Sequence, residues 1–454
     1  MLRKIRKLIL HPNRYFYDYF RKKLGFRKYF VTDKIRLLDS SNHQKWHKAI
    51  FSHPYLYLYY KFNKRLRKPP YPILIDYRIE NIEKSGMGGG KRLVIAVELE
   101  RQNTIYFANP ETVQRALDKM DPYLAGKIFK INFRGNGNKV LIDDAVGFGR
   151  TLKINFIGDN NIAIFGPGTR MIGGSIDFHG CSNTLSFESS CTVNANTQIV
   201  FKGNNNTLEV ANTITFMSGA RFSFSKDNNY AYLGPETRVL SASRINFVGT
   251  NALVYYCGKS SLNIYRSEFG SNTIFFYGYR SANALNFSCS VWECKNIIMG
   301  SGCMLSRYIH MRTAPGHAIY DAHSKKRISK GESLIIGDHV WIGRAAVIIR
   351  GVKIGSGSMI GGSSLVTKDI PAECVAAGSP AKIIREHILW TGAGPHNAAT
   401  QEQFDEFETY QEPKNPPEPI GWENLLEIDS IDPFISSKEK VARIHKILKH
   451  FDPI

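Results

Sequence analysis

The chain comprises 454 residues, of which 43% are hydrophobic and 12% aromatic, and it carries a formal net charge of +21. This length exceeds the usual size of one domain, and the composition is typical of a globular protein, so we expect two or three folded units. No apolar run approaches the roughly 18 residues that a membrane-spanning helix needs, which excludes an integral helical membrane protein.

The cysteines and the opening residues indicate the compartment. The seven cysteines are scattered, odd in number and without paired metal-ligand spacing, which argues against a disulfide framework and indicates no metal site. We expect them to be small core residues in a reducing environment. The opening MLRKIRKLILHPNR has an apolar run too short for a secretory signal and lacks a small-residue cleavage site. We therefore expect a cytoplasmic protein.

Residues 1–30 are predicted to be a basic amphipathic segment, which Pro12 divides into two short helices. Between residues 1 and 28, Lys and Arg alternate with aromatic and aliphatic side chains, and Asp18 is the single acidic residue. Such a segment suits an anchor on an anionic membrane surface, where each Lys or Arg contributes about 1 kcal/mol. A helical arm that packs on the body of its own oligomer fits the pattern equally well.

Residues 31–128 mix helix-like aromatic stretches with strands such as YPILIDYRI and a helix, NPETVQRALDKM, so they predict a small α/β domain. The stretch SGMGGGKR lacks the GxxxxGK[ST] spacing of a phosphate-binding loop and fits a flexible hairpin tip better. No motif in this region indicates its role.

A repeat of 22 or 23 residues begins at residue 130. Segments such as KINFRGNGNKVLI at 130 and KINFIGDNNIAIF at 153 fit a strand, a Gly/Asn corner and a second strand, followed by a less regular third side. A unit this short cannot bury its apolar face alone, so successive units must stack, with each Phe about 4.8 Å from the next. Asn tolerates left-handed backbone angles and hydrogen-bonds along a stack, so we assign the recurring Asn a structural role rather than ligand contact. Equivalent positions are Phe133, Phe156, Phe178, Phe201, Phe224 and Phe247, and Asn138, Asn161, Asn183, Asn206, Asn229 and Asn251.

Towards the C-terminus the period shortens to six residues, which is neither the 3.6 of a helix nor the 2 of a strand. If three six-residue sides form a triangular coil, every aliphatic residue points inward and the glycines that follow relieve crowding at the corners. We therefore predict a parallel β-helix over residues 129–386, the alternative being an ordinary parallel sheet with coincidental spacing. The aliphatic anchors are Ile336, Ile342, Ile348, Ile354, Ile360 and Val366.

The repeat is interrupted by RTAPGHAIYDAHSKKRISKGES, residues 312–333. Rigid coils hold the ends of such an excursion, so it is a place where a functional site can be attached. In residues 387–454, KNPPEP predicts a linker, and SSKEKVARIHKILKHF predicts an amphipathic helix that begins at a Ser cap.

Four motifs, in order, resemble the catalytic end of the hexapeptide-repeat O-acetyltransferases. They are HAIYD at 317–321, GDHVWIG at 337–343, GGSSLVTKDIP at 361–371 and AAGSPAKIIRE at 376–386. The upstream coils and the basic N-terminus more loosely resemble the capsular polysaccharide O-acetyltransferases of that family. The resemblance implies a left-handed parallel β-helix, acetyl-CoA as acetyl donor without a metal, and a homotrimer with each active site between two prisms. The fold class we expect is therefore mainly β: a long left-handed parallel β-helix with a small α/β N-terminal domain and a helical C-terminal tail.

By the same resemblance, His317 is the general base, and transfer is direct, without a covalent intermediate. A positioned imidazole can take the proton of a sugar hydroxyl as its oxygen attacks a thioester carbonyl. Relatives often carry an acidic residue where this chain has Pro315, so what orients the imidazole is open; Asp321 and a backbone carbonyl are the candidates. His310 and His323 are weaker candidates for the base.

The acetyl-CoA site is implied by the resemblance alone. Glycine would let the pantetheine arm run close to the backbone, and basic side chains would neutralise the nucleotide phosphates. Trp341 is a candidate to line the donor or acceptor site, whereas His339 is expected to be structural. The remaining residues carried over are Arg344, Gly362, Thr367, Lys368 and Arg385.

The expected function is acetyl transfer from acetyl-CoA to a hydroxyl of a capsular or other surface polysaccharide, in the cytoplasm and peripherally at the inner membrane. Expected partners are the glycan, further copies of the chain and, through residues 1–28, an anionic membrane surface or a capsule-synthesis complex. No nucleic-acid partner is expected. Alternatives are N-acetylation of an amino sugar on a nucleotide carrier and a non-catalytic glycan-binding scaffold. A right-handed β-helix lyase or hydrolase is a third, although no paired carboxylates in the repeats favour that chemistry.

Overall fold

The structure, a computed structural model, describes residues 129–143, 146–394 and 398–450, together with four strands upstream of them. The predicted segment 1–30 and most of the predicted α/β domain lie outside the described residues. The upstream strands are Ile35–Leu37, Ile73–Asp76, Val94–Glu98 and Thr104–Phe107.

Three parallel faces form a solenoid, with one strand of each coil on each face. The first face is a single twelve-stranded sheet in which each strand pairs with its counterpart in the next coil. Within the coils its strands are Lys139–Ile142, Ile162–Phe165, Thr184–Phe187, Thr207–Val210, Tyr230–Leu233, Leu253–Tyr256, Ile274–Tyr277, Ile297–Met299, Leu334–Ile336 and Lys353–Ile354.

The second and third faces share two long strands, Gly147–Phe156 and Arg170–Phe178, which bend from one face to the other. The second face continues with Thr192–Val193, Thr215–Phe216, Arg238–Val239, Ser261–Leu262, Ala282–Asn283, Met304–Leu305, Trp341–Ile342, Met359–Ile360 and Val375–Gly378. The third face begins with Phe129–Phe133 and continues with Thr197–Phe201, Arg221–Phe224, Arg244–Phe247, Ile264–Phe269, Phe287–Val291, His310–Arg312, Val347–Ile348 and Leu365–Val366. A final strand, Ala381–Arg385, turns back antiparallel to Val375–Gly378.

This arrangement confirms the predicted parallel β-helix; its left-handed winding stays a prediction. Parallel pairing also reaches upstream of residue 129, where we predicted the helix to begin. Val94–Glu98 pairs with Phe129–Phe133, and Thr104–Phe107 pairs with Lys139–Ile142.

A stack of phenylalanines runs through the interior, as the 22-to-23-residue period predicts. The Phe178 and Phe201 rings are 4.9 Å apart, and the Phe201 and Phe224 rings are 4.6 Å apart, with nearly parallel planes in both pairs. These rings are fully buried because alternate residues of every strand point into the solenoid.

The recurring asparagines divide into two neighbouring positions with different roles. One is a buried ladder, in which the Asn161 side-chain amide donates to Asn138 Oδ1 at 3.1 Å. The other precedes it and has left-handed backbone angles, as at Asn228 with φ 60°. We predicted Asn251 to belong to the ladder, but it has φ 57° and occupies the left-handed position. Ala252 takes the ladder position instead, and its N–H donates to Asn229 Oδ1 at 2.9 Å.

The C-terminal tail packs its last two α-helices against the outer side of the first face. Its helices are Gln401–Asp405, Trp422–Asp429 and Ser437–Ile447, followed by the 3₁₀ turn Leu448–His450. The predicted Ser cap is confirmed, since Ser436 Oγ accepts from Glu439 N–H at 3.2 Å. The tail packs Ile428 and Ile444 in a cluster with outward-facing first-face residues such as Ile298, so this part of the first face is covered.

All seven cysteines are free thiols, as their scattered spacing predicts. In the described part of the chain, no helix is both long and apolar enough to cross a bilayer.

Candidate active site

The excursion between the third and first faces is clamped where it leaves and re-enters the solenoid. At its start, Thr313 Oγ1 accepts from Trp292 N–H at 2.7 Å and donates to the Trp292 carbonyl at 3.0 Å. At its end, Glu332 N–H donates to the Thr313 carbonyl at 2.9 Å, and the Glu332 carboxylate pairs with Arg350 at 2.6 Å. These contacts fix both ends of the excursion.

A short hairpin forms within the excursion. Tyr320 and Arg327 form an antiparallel bridge, and Ile328 N–H donates to the Ile319 carbonyl at 2.9 Å. Arg327 is held in turn by the carboxylate of Glu293, which belongs to the neighbouring coil. Partial burial raises the pKa of Glu293, but the hydrogen bonds from Arg327 and from a backbone N–H outweigh it and leave the pKa below its usual value. The hairpin is thereby tied to the solenoid by an ion pair.

Asp321 closes the tip of this hairpin. Its Oδ1 accepts from Ser324 N–H at 2.7 Å, from Ser324 Oγ at 2.8 Å and from His323 N–H at 3.1 Å. The Ser324 hydrogen bonds are the main reason that the pKa of Asp321 lies below its usual value. The carboxylate therefore stabilises the turn to which it belongs. Its predicted contact with His317 stays a prediction.

His317 is exposed in a bend that precedes the hairpin, and no hydrogen bond to its imidazole is found among the described residues. Arg312, the last residue of the third-face strand, lies close by. Its Nε donates to the Ala314 carbonyl at 3.0 Å, and a Cβ added at Gly316 would lie 3.4 Å from its terminal nitrogen. The guanidinium is thus beside the residue that precedes His317, a neighbour that we did not single out from the sequence.

The two weaker candidates for the base lie elsewhere. His310 points outward from the third face between Ser288 and Val347. Burial, followed by the charges of Arg312 and Arg266, lowers the pKa of His310 below its usual value. His323 lies in the hairpin tip beside Asp321.

His339 and Trp341 contact a tryptophan that follows the repeat. The His339 ring stacks on Trp390 with centroids 3.9 Å apart, and its Nε2 donates to the Trp390 carbonyl at 2.9 Å. Trp390 Nε1 donates to the His339 carbonyl at 3.0 Å. Trp341 is half-buried, donates to Ser306 Oγ at 3.3 Å and has its ring 5.8 Å from that of Trp390. The contacts of His339 agree with its expected structural role.

Two of the predicted coenzyme residues meet at the corner between the second and third faces. Ser363 N–H donates to the Arg344 carbonyl at 2.7 Å, and a Cβ at Gly362 would lie 3.2 Å from the same oxygen. Because Gly362 has no side chain, the backbone at this corner is left uncovered. The Arg344 guanidinium lies 5.6 Å from the ring centre of Tyr308, one coil away.

The predicted coenzyme residues Thr367, Lys368 and Arg385 lie away from this corner. Thr367 and Lys368 follow the strand Leu365–Val366, so they are at its opposite end from Gly362. Arg385 lies on the final antiparallel strand, opposite Val375. Lys368 and Arg385 are exposed, and neither forms an ion pair with another described residue. Within the described ranges, no group of three His, Cys, Asp or Glu side chains is placed to hold a metal ion.

Residues 333–368, the coils that follow the excursion, match the family model described as bacterial transferase hexapeptide (six repeats). The match confirms the resemblance that the six-residue period and the four motifs indicated.

Curated relatives carry related names. The chain is 39% identical over 113 residues to a polysialic acid O-acetyltransferase of Escherichia coli O1:K1 / APEC, which is 25% of this chain and 36% of that protein. It is 33% identical over 143 residues to the galactoside O-acetyltransferase of Escherichia coli strain K12, which is 31% of this chain and 63% of that protein. In both cases the chain spans less than two thirds of the relative. Among solved structures, the polySia specific acetyltransferase NeuO is 27% identical, with 61% of this chain and 96% of that chain covered at a TM-score of 0.28.

Proposed function

We propose that the chain is an acetyl-CoA-dependent O-acetyltransferase that modifies a hydroxyl of a capsular or related surface polysaccharide. The observation that carries the proposal is the clamped excursion, which presents His317 directly before the coils that match the hexapeptide model. A scaffold has no need for a histidine-bearing excursion fixed by an ion pair and by hydrogen bonds at both ends. The names of the two Escherichia coli relatives support the reaction class.

In the proposed reaction, His317 accepts the proton of the acceptor hydroxyl while the hydroxyl oxygen attacks the thioester carbonyl. As the carbon–sulfur bond breaks, the imidazolium returns that proton to the sulfur of CoA. The histidine therefore ends in its initial state, and no residue is acetylated. Because Asp321 bonds to its own turn, a backbone carbonyl or a group from a second copy of the chain is favoured to orient the ring.

The residues proposed to bind acetyl-CoA fit that molecule in their chemistry. The uncovered backbone at Gly362 leaves room for a pantetheine chain to run alongside it. Lys368 and Arg385 are exposed cations without an ion-pair partner among the described residues, so they are free to meet phosphates. Trp341 and Arg344 complete the proposed set.

A homotrimer with shared sites, in the cytoplasm at the inner membrane, completes the proposal. The hairpin leaves Ile319, Tyr320 and Ile328 exposed by 54%, 59% and 59%, and a second copy that covers them would approach His317. The tail covers part of the first face, so that part is not available for such a contact.

The test is release of free thiol from acetyl-CoA, with and without a panel of capsular oligosaccharides. We expect acceptor-dependent release that falls at least about a hundredfold in His317→Ala, which is the lower range for loss of a general base. His323→Ala is the matched control, since it alters another exposed histidine of the same excursion. Full activity in His317→Ala would place the base elsewhere, and failure of the unaltered protein to bind CoA would favour the glycan-binding scaffold.

A further inference from the structure

One outward row of the third face carries four Lys and Arg side chains over eight successive coils. The pairing register places Lys153, Ser175, Gln198, Arg221 and Arg244 at equivalent positions of five successive coils. Counting back from the pair Phe247–Phe269 places Arg266 next in the row, and Ser288 and His310 pair in turn after it. We name these eight residues the cation row; none of them is acidic.

The adjacent outward row contains two carboxylates, and both have partners of their own. Asp177 accepts from the side-chain amide of Asn155. Glu268 pairs with Arg266 at 2.6 Å. Lys153, Arg221 and Arg244 are exposed and form no ion pair with any residue in the described ranges. Their charges are therefore available to a ligand.

The cation row leads to the candidate active site. Seven steps separate Lys153 from His310, which at about 4.8 Å for each strand spacing is about 34 Å. Arg312, on the same strand as His310, then lies beside the residue that precedes His317. The row and the histidine thus form one continuous path along the solenoid axis.

The side chains of this face fit a glycan better than a protein or a nucleic acid. Gln198, Ser223 and Asn246 supply hydrogen-bonding groups between the cations. The two rows lack the large apolar anchors around which protein interfaces form. Tyr265, whose ring lies 6.0 Å from the Arg244 guanidinium, is one exposed aromatic ring, whereas a single-stranded nucleic acid needs a series of them.

We propose that the cation row binds a linear acidic polysaccharide along the solenoid axis and presents its hydroxyls to His317. The presentation of hydroxyls to His317 rests on the proposed function, because it matters only if acetyl transfer occurs. Positive charge along the path concentrates the anionic chain, and several weak contacts hold it while one sugar unit occupies the active site.

The test is the double variant Arg221→Ser with Arg244→Ser. We expect the KM for long acidic polymers to rise by about threefold to thirtyfold, because each exposed ion pair removed is weak. The kcat, the affinity for CoA and the KM for the shortest acceptor should stay unchanged. The matched control is Arg238→Ser, which removes an exposed arginine from the second face between the same two coils. A double variant that behaves like this control at every acceptor length would overturn the proposal.

Retardation of the protein in gels that contain polymer measures binding without the reaction. The probes are polysialic acid and polygalacturonate, with neutral dextran and single-stranded DNA as comparisons. If the acidic glycans retard the protein and this retardation is lost in the double variant, the cation row binds them even if no acceptor is acetylated. This result therefore tests glycan binding independently of acetyl transfer. Equal retardation by dextran, or stronger retardation by DNA, would overturn the ligand class.

Discussion

Lys440 offers a test of how the tail is held on the first face. Its side chain is fully buried, and Nζ donates to the Asn251 carbonyl at 2.8 Å. Burial lowers the pKa of Lys440 from 10.5 to about 8, against the smaller raising effects of Cys294 and Asp432. The docked tail therefore favours the neutral amine, whereas an undocked tail would hold the proton up to its usual pKa.

The sign of the pH dependence follows from this difference. Between pH 8 and 10.5 the undocked state binds more protons than the docked state, so docking gains stability as pH rises through that window. One pKa unit corresponds to 1.36 kcal/mol, so the full gain is about 3 kcal/mol. Below pH 8 the docked tail bears the whole cost of burying the charge.

The assay is urea unfolding followed by far-ultraviolet circular dichroism, since the α-helices of the described residues all lie in the tail. Lys440→Met should remove the rise between pH 8 and 10.5. Lys438→Met alters an exposed lysine of the same helix and should retain it. A helix transition that does not move with pH in the unaltered protein, or equal behaviour of the two variants, would refute the reasoning.

Two further predictions concern the interior and the coenzyme corner. Phe201→Ala removes a fully buried ring from the stack and should lower the free energy of unfolding by about 3 to 5 kcal/mol in a urea titration. Val200→Ala, on the same strand but pointing outward, should lower it by less than about 1 kcal/mol. Equal losses in the two variants would contradict the buried stack. Gly362→Ala places a methyl group on the corner between the second and third faces and should weaken acetyl-CoA binding by about tenfold in calorimetry, or about 1.4 kcal/mol. Gly392→Ala, where the added Cβ meets nothing within 4 Å, should bind acetyl-CoA as the unaltered protein does. Unchanged affinity in both variants would remove Gly362 from the proposed site.

The interior of the solenoid was predictable because its period is visible in the residues themselves. Each Phe must lie over the next if units of 22 or 23 residues stack, and the rings do so. The asparagine ladder was placed one residue off at Asn251 because pairs such as Asn228–Asn229 put both asparagine roles next to each other. The sequence does not distinguish the residue with left-handed angles from the buried one; the strand register does.

Docking of the tail was missed, although a signal for it was present. Leu253–Tyr256 and Ile274–Tyr277 are apolar throughout rather than at alternate residues, and all of their residues are buried. A strand buried on both sides reads as a continuous apolar run, so this part of the first face had to be covered. The covering residues are more than a hundred positions away in sequence, and no local pattern names them.

At the candidate site, the histidine was reached through motif resemblance and its surroundings through the structure. The position of His317 follows from HAIYD, whereas the proximity of Arg312 depends on how the excursion folds back at Gly316. Asp321 resembled an orienting carboxylate, but an Asp followed three residues later by Ser also closes a turn, and here it does so. Trp390 lies beyond the repeat, so its stacking on His339 could not be predicted from the period.

The measurement that tests the central claim most directly is transfer of isotope-labelled acetyl from acetyl-CoA to purified acidic capsular polysaccharide, read by NMR of the product. The proposed function predicts label in a base-labile ester on a sugar oxygen, formed by the unaltered protein and by His323→Ala but not by His317→Ala. Label in an amide would instead identify an N-acetyltransferase, and an unlabelled glycan that nevertheless binds the protein would contradict catalysis and leave a binding scaffold.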